Sequence, residues 1–369
     1  MSSSPLFDSY KLRGLTLPNR VVMAPMTRSF SPGGVPGENV AEYYARRGDA
    51  DVGLLITEGT TVNRGGASSD PRVPNFHKDD ALAGWSNVVE AVHKTPGKIA
   101  PQLWHVGMMR KPGTGPNPDA ISDGPSGRTH KGKQVQPEPS ESEVADMVMA
   151  YANAAGDAKR LGFDAIEIHG AHGYLIDEFF WNVMNTRADK YGGGLTERAT
   201  FAGEVIRECR KQVGDDMPII LRFSQWKQQE YSARLAETPQ ELDEFLQVFA
   251  DAGVDALHAS QRRWWEAEFP DVDGDNGLNL AGWCKKLTGL TSITVGSVGL
   301  SSDFVGAFAG QGSKTRAISD VIERLDKGEF DLVAVGRALL QDPFWAEKIK
   351  NDRTDELADY DAKALATLY

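Results

Sequence analysis

His169, His172 and Tyr174 stand in one short run of this chain, and their types and spacing bear on chemistry before any fold is assigned. Two imidazoles three positions apart suit a metal ion or serve as ordinary polar lining, while a phenol with an unperturbed pKa of about 10 stays protonated at neutral pH, as a general acid must. A second set, Arg222, Gln102 and Thr27, suits a flavin. A reduced isoalloxazine carries negative charge at N1/O2 that a buried Arg222 stabilises. Gln102 can both donate and accept, matching the pyrimidine edge, and the Thr27 hydroxyl can donate near N5 and O4. Gly296, Ser297, Gly336 and Arg337 form a third set, in which glycines let backbone N–H groups approach a phosphate closely.

These sets need a scaffold that brings distant residues to one face. A unit in which a helix ends near Gly, an Asp follows and a short apolar strand begins occurs four times, at 48–59, 162–170, 253–260 and 328–337. A Gly closing a helix in the left-handed region before a continuous apolar run is the signature of a connection into a buried parallel strand. Four further apolar runs, 20–25, 99–103, 219–223 and 293–295, bring the expected strands to eight. Amphipathic helices are expected over 141–160, 195–213 and Pro239–Ala252, the last opened by a Thr238 cap with Glu241 reaching back as in a capping box. Eight strands alternating with helices, without a GxGxxG motif after the first, predict a single (β/α)₈ barrel rather than a doubly wound sheet. Residues 6–17 read as a hairpin closing the N-terminal end, and 111–139 as a long excursion after strand three. In such a barrel the chemistry lies at the C-terminal strand ends, and all three sets fall there.

Composition narrows the partners. Of 369 residues, 40% are hydrophobic and 25% charged, the balance of a globular chain, and a net charge of -12 opposes nucleic acid and anionic membranes. Small-molecule chemistry is expected instead. The two isolated cysteines, Cys209 and Cys284, give neither a disulfide framework nor an iron–sulfur or Cys-based zinc site. With no signal-like N-terminus and no apolar run long enough to span a membrane, the expected location is the cytoplasm.

On four motifs the chain resembles the old yellow enzyme family of FMN-dependent ene-reductases: NRVVMAPMTR at 19–28, QLWH at 102–105, HGAHGYLIDEF at 169–179 and NTRADKYGG at 185–193. The resemblance covers about residues 6–345 within one domain spanning 1–369. It implies FMN against Pro25, Met26, Thr27, Gly59, Gln102, Arg222, Gly296, Ser297, Gly336 and Arg337. It also implies that NADPH or NADH reduces the flavin, which passes hydride from N5 to the β-carbon of an α,β-unsaturated carbonyl or other activated alkene. His169 and His172 would polarise the carbonyl oxygen and Tyr174 would protonate the α-carbon, with Trp104 as cavity wall. Isomerisation, reduction of nitro compounds or nitrate esters, and a non-catalytic redox role are the alternatives on the same fold. No metal, nucleic acid or membrane partner is expected, and the protein is read as a monomer or homodimer.

Other residues remain open at this level. Arg222 can instead pair with Glu58 or Glu167, and His105 can be a neighbour of the site. Trp264, Trp265 and Phe269 are a lid or loop anchors in equal measure. Arg128, His130, Lys131 and Lys133 read as a solvated loop or a hold on a nicotinamide phosphate. Loops 224–231 and 261–269 match no pattern of the family.

Overall fold

The computed structural model describes residues 4–369, the side chains at 307 and 308 excepted. Eight parallel strands close on themselves: β1 (Val21–Met23), β2 (Leu54–Thr61), β3 (Lys98–Trp104), β4 (Ile166–His172), β5 (Ile219–Lys227), β6 (Ala256–Ser260), β7 (Thr291–Val295) and β8 (Leu332–Val335). Their helices are α1 (Glu38–Asp49), α2 (Asp79–Val92), α3 (Glu141–Leu161), α4 (Thr200–Val213), α5 (Pro239–Ala252), α6 (Leu280–Thr288), α7 (Ser319–Asp326) and, after β8, α8 (Trp345–Lys350). The (β/α)₈ barrel expected from the repeated unit is therefore the observed architecture. Among the described residues no helix is long and apolar enough to cross a membrane.

The repeated Asp has a structural job at the barrel's N-terminal rim. Asp164 accepts from Ile99 N at 2.9 Å, Asp255 from Ile219 N at 2.8 Å and Asp331 from Ser292 N at 3.0 Å. Each thus captures a backbone N–H at the start of the preceding strand, which the barrel's own ladder leaves over. Asp51, ahead of β2, does not; there Asn19 accepts from Val21 N at 2.9 Å. Below this rim the hairpin Tyr10–Leu12 and Leu15–Leu17 buries Leu12 and Leu17 against Val22, Leu54, Ala100, Ile220 and Ile293 of the barrel interior. Fully burying a leucine removes about 1.5–3 kcal/mol worth of apolar exposure, so the plug is held mainly by its two leucines.

Helix ends follow local chemistry. On α3, Ser140 and Glu143 form a reciprocal capping box, and Gly162 closes the helix at φ 85°. The apolar positions Val144, Met147, Val148, Tyr151, Ala154, Ala155 and Ala158 keep the helical period and are buried. Two expected details change. The helix read over 195–213 is broken at Ala199 into Leu195–Arg198 and α4. At α5, Thr238 caps Glu241 N as expected, but the Glu241 carboxylate reaches Glu237 N at 2.7 Å rather than the cap residue's own N–H. β5 also runs past 223 to Lys227, so half of the unassigned loop 224–231 is strand.

Segment 111–139 carries no helix or strand element. Its first part hangs on Arg110, whose guanidinium donates to the carbonyls of Thr114, Asn117, Pro118 and Ala120 at 2.6–3.1 Å. Its middle turns Asp123 inward onto His105 and Arg64, at 2.8 and 2.7 Å.

Candidate active site

At the C-terminal ends of the strands lies a cavity of about 360 Å³, lined by all ten residues expected against FMN and all four expected against substrate. Strand register explains the convergence. His169 on β4, Arg222 on β5 and His258 on β6 are direct partners across the ladder, so their side chains share one layer of the barrel interior.

Arg222 is 7% exposed; it donates to Ser260 Oγ at 3.2 Å, and its Nε has no partner. Neither Glu58 nor Glu167 pairs with it. Glu58 accepts from the backbone N–H groups of Arg28 and Ser29, at 2.8 and 3.0 Å. Glu167 accepts from Gln102 Nε2 at 2.8 Å and meets His258 Nδ1 at 2.6 Å. Burial works against the Arg222 cation, which the field of Glu167 supports. Gln102 is thereby fixed by one N–H, which leaves its carbonyl oxygen and second N–H for a ligand.

The donor set fits a flavin mononucleotide. A Cβ on Gly59 would come within 2.7 Å of the Trp104 ring, and one on Gly296, at φ 128°, within 2.5 Å of the Gln261 carbonyl. Ser297 occupies the left-handed region at φ 58°, and its hydroxyl bonds the carbonyls of Arg262 and Ser302 at 2.9 and 3.0 Å. Arg337 donates to Ser297 Oγ, Ser302 O and Asp303 O, and no carboxylate pairs with it among the described residues. Two unpaired guanidinium cations lining one cavity match an anionic ring edge and a phosphate.

The histidines differ in how they are held. Ala171 N donates to His169 Nδ1 at 3.3 Å, which places the ring proton on Nε2 in the neutral imidazole. Burial, followed by the Arg222 cation, pushes both His169 and His172 well below the ordinary imidazole range, so both are neutral donors at neutral pH. His172 sits at φ 66°, meets Ser260 Oγ through Nε2 at 2.8 Å and stacks on Trp226 at 4.7 Å. Tyr174 packs edge-on against both Trp104 and His169, each at 5.1 Å. Burial raises its phenol above the usual value, so it holds its proton.

Several readings resolve against a direct role. His105 is fully buried, bonded to Asp123 and Gly107 N, and does not line the cavity. Trp264 and Phe269 are buried anchors, and Trp265 lies under Arg316 at 3.8 Å. Arg128 donates to Gly132 O within its own loop, and none of Arg128, His130, Lys131 and Lys133 lines the cavity. Other lining residues were not singled out from sequence: Ser260, Trp226, Gln228, Phe304, Tyr360 and Leu365. Counting by twos along the strands would have found Ser260 from His258 and Trp226 from Arg222. The tail residues carry no such signal. Leu365 is brought in by Arg28, which donates to the carbonyls of Ala364, Leu365 and Thr367, and Tyr360 by a reciprocal backbone bridge to Ser313.

Comparison with known proteins agrees with this geometry. Residues 5–356 match the model of the NADH:flavin oxidoreductase / NADH oxidase family. The chain is 33% identical to 12-oxophytodienoate reductase 7 of Oryza sativa subsp. japonica, over 94% of this chain and 88% of that protein. It is 31% identical to the NADH oxidase of Thermoanaerobacter brockii over 95% of this chain but only 52% of the relative. Among solved structures, morphinone reductase in complex with tetrahydroNAD superposes with a TM-score of 0.79 at 27% identity, covering 98% of this chain and 93% of that one. A closed barrel matched over residues 5–356 by this family's model, and along nearly its whole length by proteins named as reductases, belongs to the NADH:flavin oxidoreductase (old yellow enzyme) family, as an FMN-dependent oxidoreductase with a nicotinamide reductant.

Proposed function

We propose that this protein, a single-domain monomer or homodimer, reduces activated alkenes, α,β-unsaturated carbonyls first among them, with NADPH or NADH as the source of electrons. Bound FMN, once reduced, supplies the hydride that the alkene β-carbon takes up. Pro25, Met26, Thr27, Gly59, Gln102 and Arg222 would hold the ring, and Gly296, Ser297, Gly336 and Arg337 the phosphate. His169 and His172 hold the substrate's carbonyl oxygen, and negative charge developing there is met by two preorganised N–H donors. The His169 proton is on Nε2. For His172 the order of donors supports Nδ1: Arg222 can only donate to Ser260 Oγ, and the Ser260 hydroxyl then gives its own proton to His172 Nε2. Tyr174 delivers a proton to the α-carbon, and Trp104 walls the cavity between Gly59 and His169.

The observation that carries this reading is the placement of a protonated phenol against His169 at 5.1 Å in the cavity that also receives Arg222 and Gln102. A proton source beside the carbonyl donors makes reduction, rather than isomerisation, the net outcome. The test is Tyr174→Phe. Reduction of the bound flavin by NADPH is expected to be unchanged, while its reoxidation by cyclohexenone slows by about 10² or more, the usual share of a general acid. Equal reoxidation rates would remove Tyr174 from the reaction.

A further inference from the structure

The segment 224–231, which fits no family pattern, is stitched to the catalytic run 172–174. His172 N donates to Ser224 Oγ at 3.0 Å, Gln228 N to His172 O at 3.4 Å and Gln229 Nε2 to Gly173 O at 2.9 Å. Gly173 sits at φ 78°, a left-handed conformation that favours glycine, and the Gln229 amide packs into the space its missing side chain leaves. Its N–H donates to Asp177 at 2.7 Å, and the other Asp177 oxygen meets Lys227 Nζ at 2.7 Å, with both side chains fully buried. A buried ion pair recovers little stability beyond its desolvation cost; its use is to fix one arrangement. Here the arrangement fixed is the approach of Gln228, whose side chain lines the cavity and whose Nε2 lies 3.5 Å from the Tyr174 hydroxyl. Catalytic hydrogen bonds are often long before substrate is bound.

We propose that Gln228 is a positioning residue for proton delivery: its amide N–H donates to the Tyr174 oxygen, turns the phenol's own proton toward the substrate, and stabilises the phenolate that remains after transfer. This rests on the reading of Tyr174 as the acid. In the step, the Tyr174 O–H bond breaks and a C–H bond forms at the α-carbon. The bonding pair of the O–H stays on the phenolate oxygen, Gln228 keeps its protons, and the phenolate recovers one from water. Burial raises the phenol and the Gln228 contact alone works the other way, which agrees with donation toward the oxygen.

The experiment compares Gln228→Met, Tyr174→Phe and the double variant, each as FMN-loaded protein. Reduced enzyme is reoxidised by cyclohexenone, which needs a proton on carbon, and by benzoquinone, which does not. For Gln228→Met the enone-to-quinone rate ratio should fall about tenfold, the size of one hydrogen bond, with no further fall in the Tyr174→Phe background. Ultraviolet difference titration, with Tyr174→Phe as the blank, should place the Tyr174 ionisation at higher pH in Gln228→Met. An equal fall in both backgrounds, or an ionisation pH that is unchanged or lowered, overturns the role of Gln228. A Tyr174→Phe variant that reoxidises normally overturns the acid reading itself, and the titration still reports the contact on its own.

Discussion

The two rims of the barrel are built from the same eight strands and treat polar groups in opposite ways. At the N-terminal rim Asp164, Asp255 and Asp331 each take an N–H from a strand's first or second residue and a cation besides, from Lys98, Arg210 and Lys285 respectively, over an apolar hairpin plug. At the C-terminal rim Arg222 Nε, His258 Nε2 and Trp104 Nε1 are buried without partners, and burial pushes the Glu58 carboxyl up to about 7. Buried polar atoms are nearly always satisfied, and although unpartnered ones also occur elsewhere, Arg20 Nε and Arg210 Nε at the lower rim among them, Arg222 and Trp104 carry theirs on side chains that line the cavity, where a ligand can reach them. The lower rim is closed by the hairpin plug, and the upper one opens into the cavity where FMN is proposed to bind.

The contrast can be broken by experiment. The largest effect is expected for Arg222→Leu, which should weaken FMN about 10³-fold, near 4 kcal/mol, as read by flavin fluorescence. Unweakened binding would mean that the upper cation does not face the cofactor. Asp255→Ala attacks the lower rim, leaving Arg210 and Ile219 N without their shared acceptor. It should cost about 3 kcal/mol in urea unfolding while FMN affinity holds; a loss of affinity without a loss of stability would reverse the assignment of the two rims. Glu58→Gln tests the middle ground. Because the folded-state pKa of Glu58 lies above its unfolded value, its contribution is complete below about pH 4.5 and is lost as pH rises through about 7. Glu58→Gln should therefore flatten the stability profile between pH 5 and 7.5 by about 2 kcal/mol. An unaltered profile would mean that the carboxyl titrates alike in both states.

The lower rim and the strand ends were the legible part of the molecule, because a repeated local unit writes them. Gly162, Gly253 and their following Asp residues recur at fixed distance from each strand, and residues such as Gln102, His169 and Arg222 follow by counting. What was not legible depends on long-range geometry. Tyr360 and Leu365 reach the cavity through distant partners, Tyr360 by a reciprocal backbone bridge to Ser313 and Leu365 because Arg28, far away in sequence, gathers the tail's carbonyls. Asp123 joins His105 from the middle of a segment without periodicity, and the inward tilt of Trp226 requires knowing that β5 does not stop at Phe223. The flavin itself came from family resemblance, not from pattern.

The shift in register between β4 and β5 at Gly170 and His172 has a consequence for how this site can change over generations. From the Gly170–Phe223 pair to the His172–Lys227 pair β4 advances two residues and β5 four, so the ladder already absorbs two extra residues in the stretch that carries Trp226. Inherited variation in substrate range can therefore enter this wall by a change of length at the irregularity as well as by exchange of side chains. The outer part of 111–139 hangs largely on the Arg110 guanidinium, and there the chain is free to lengthen or shorten.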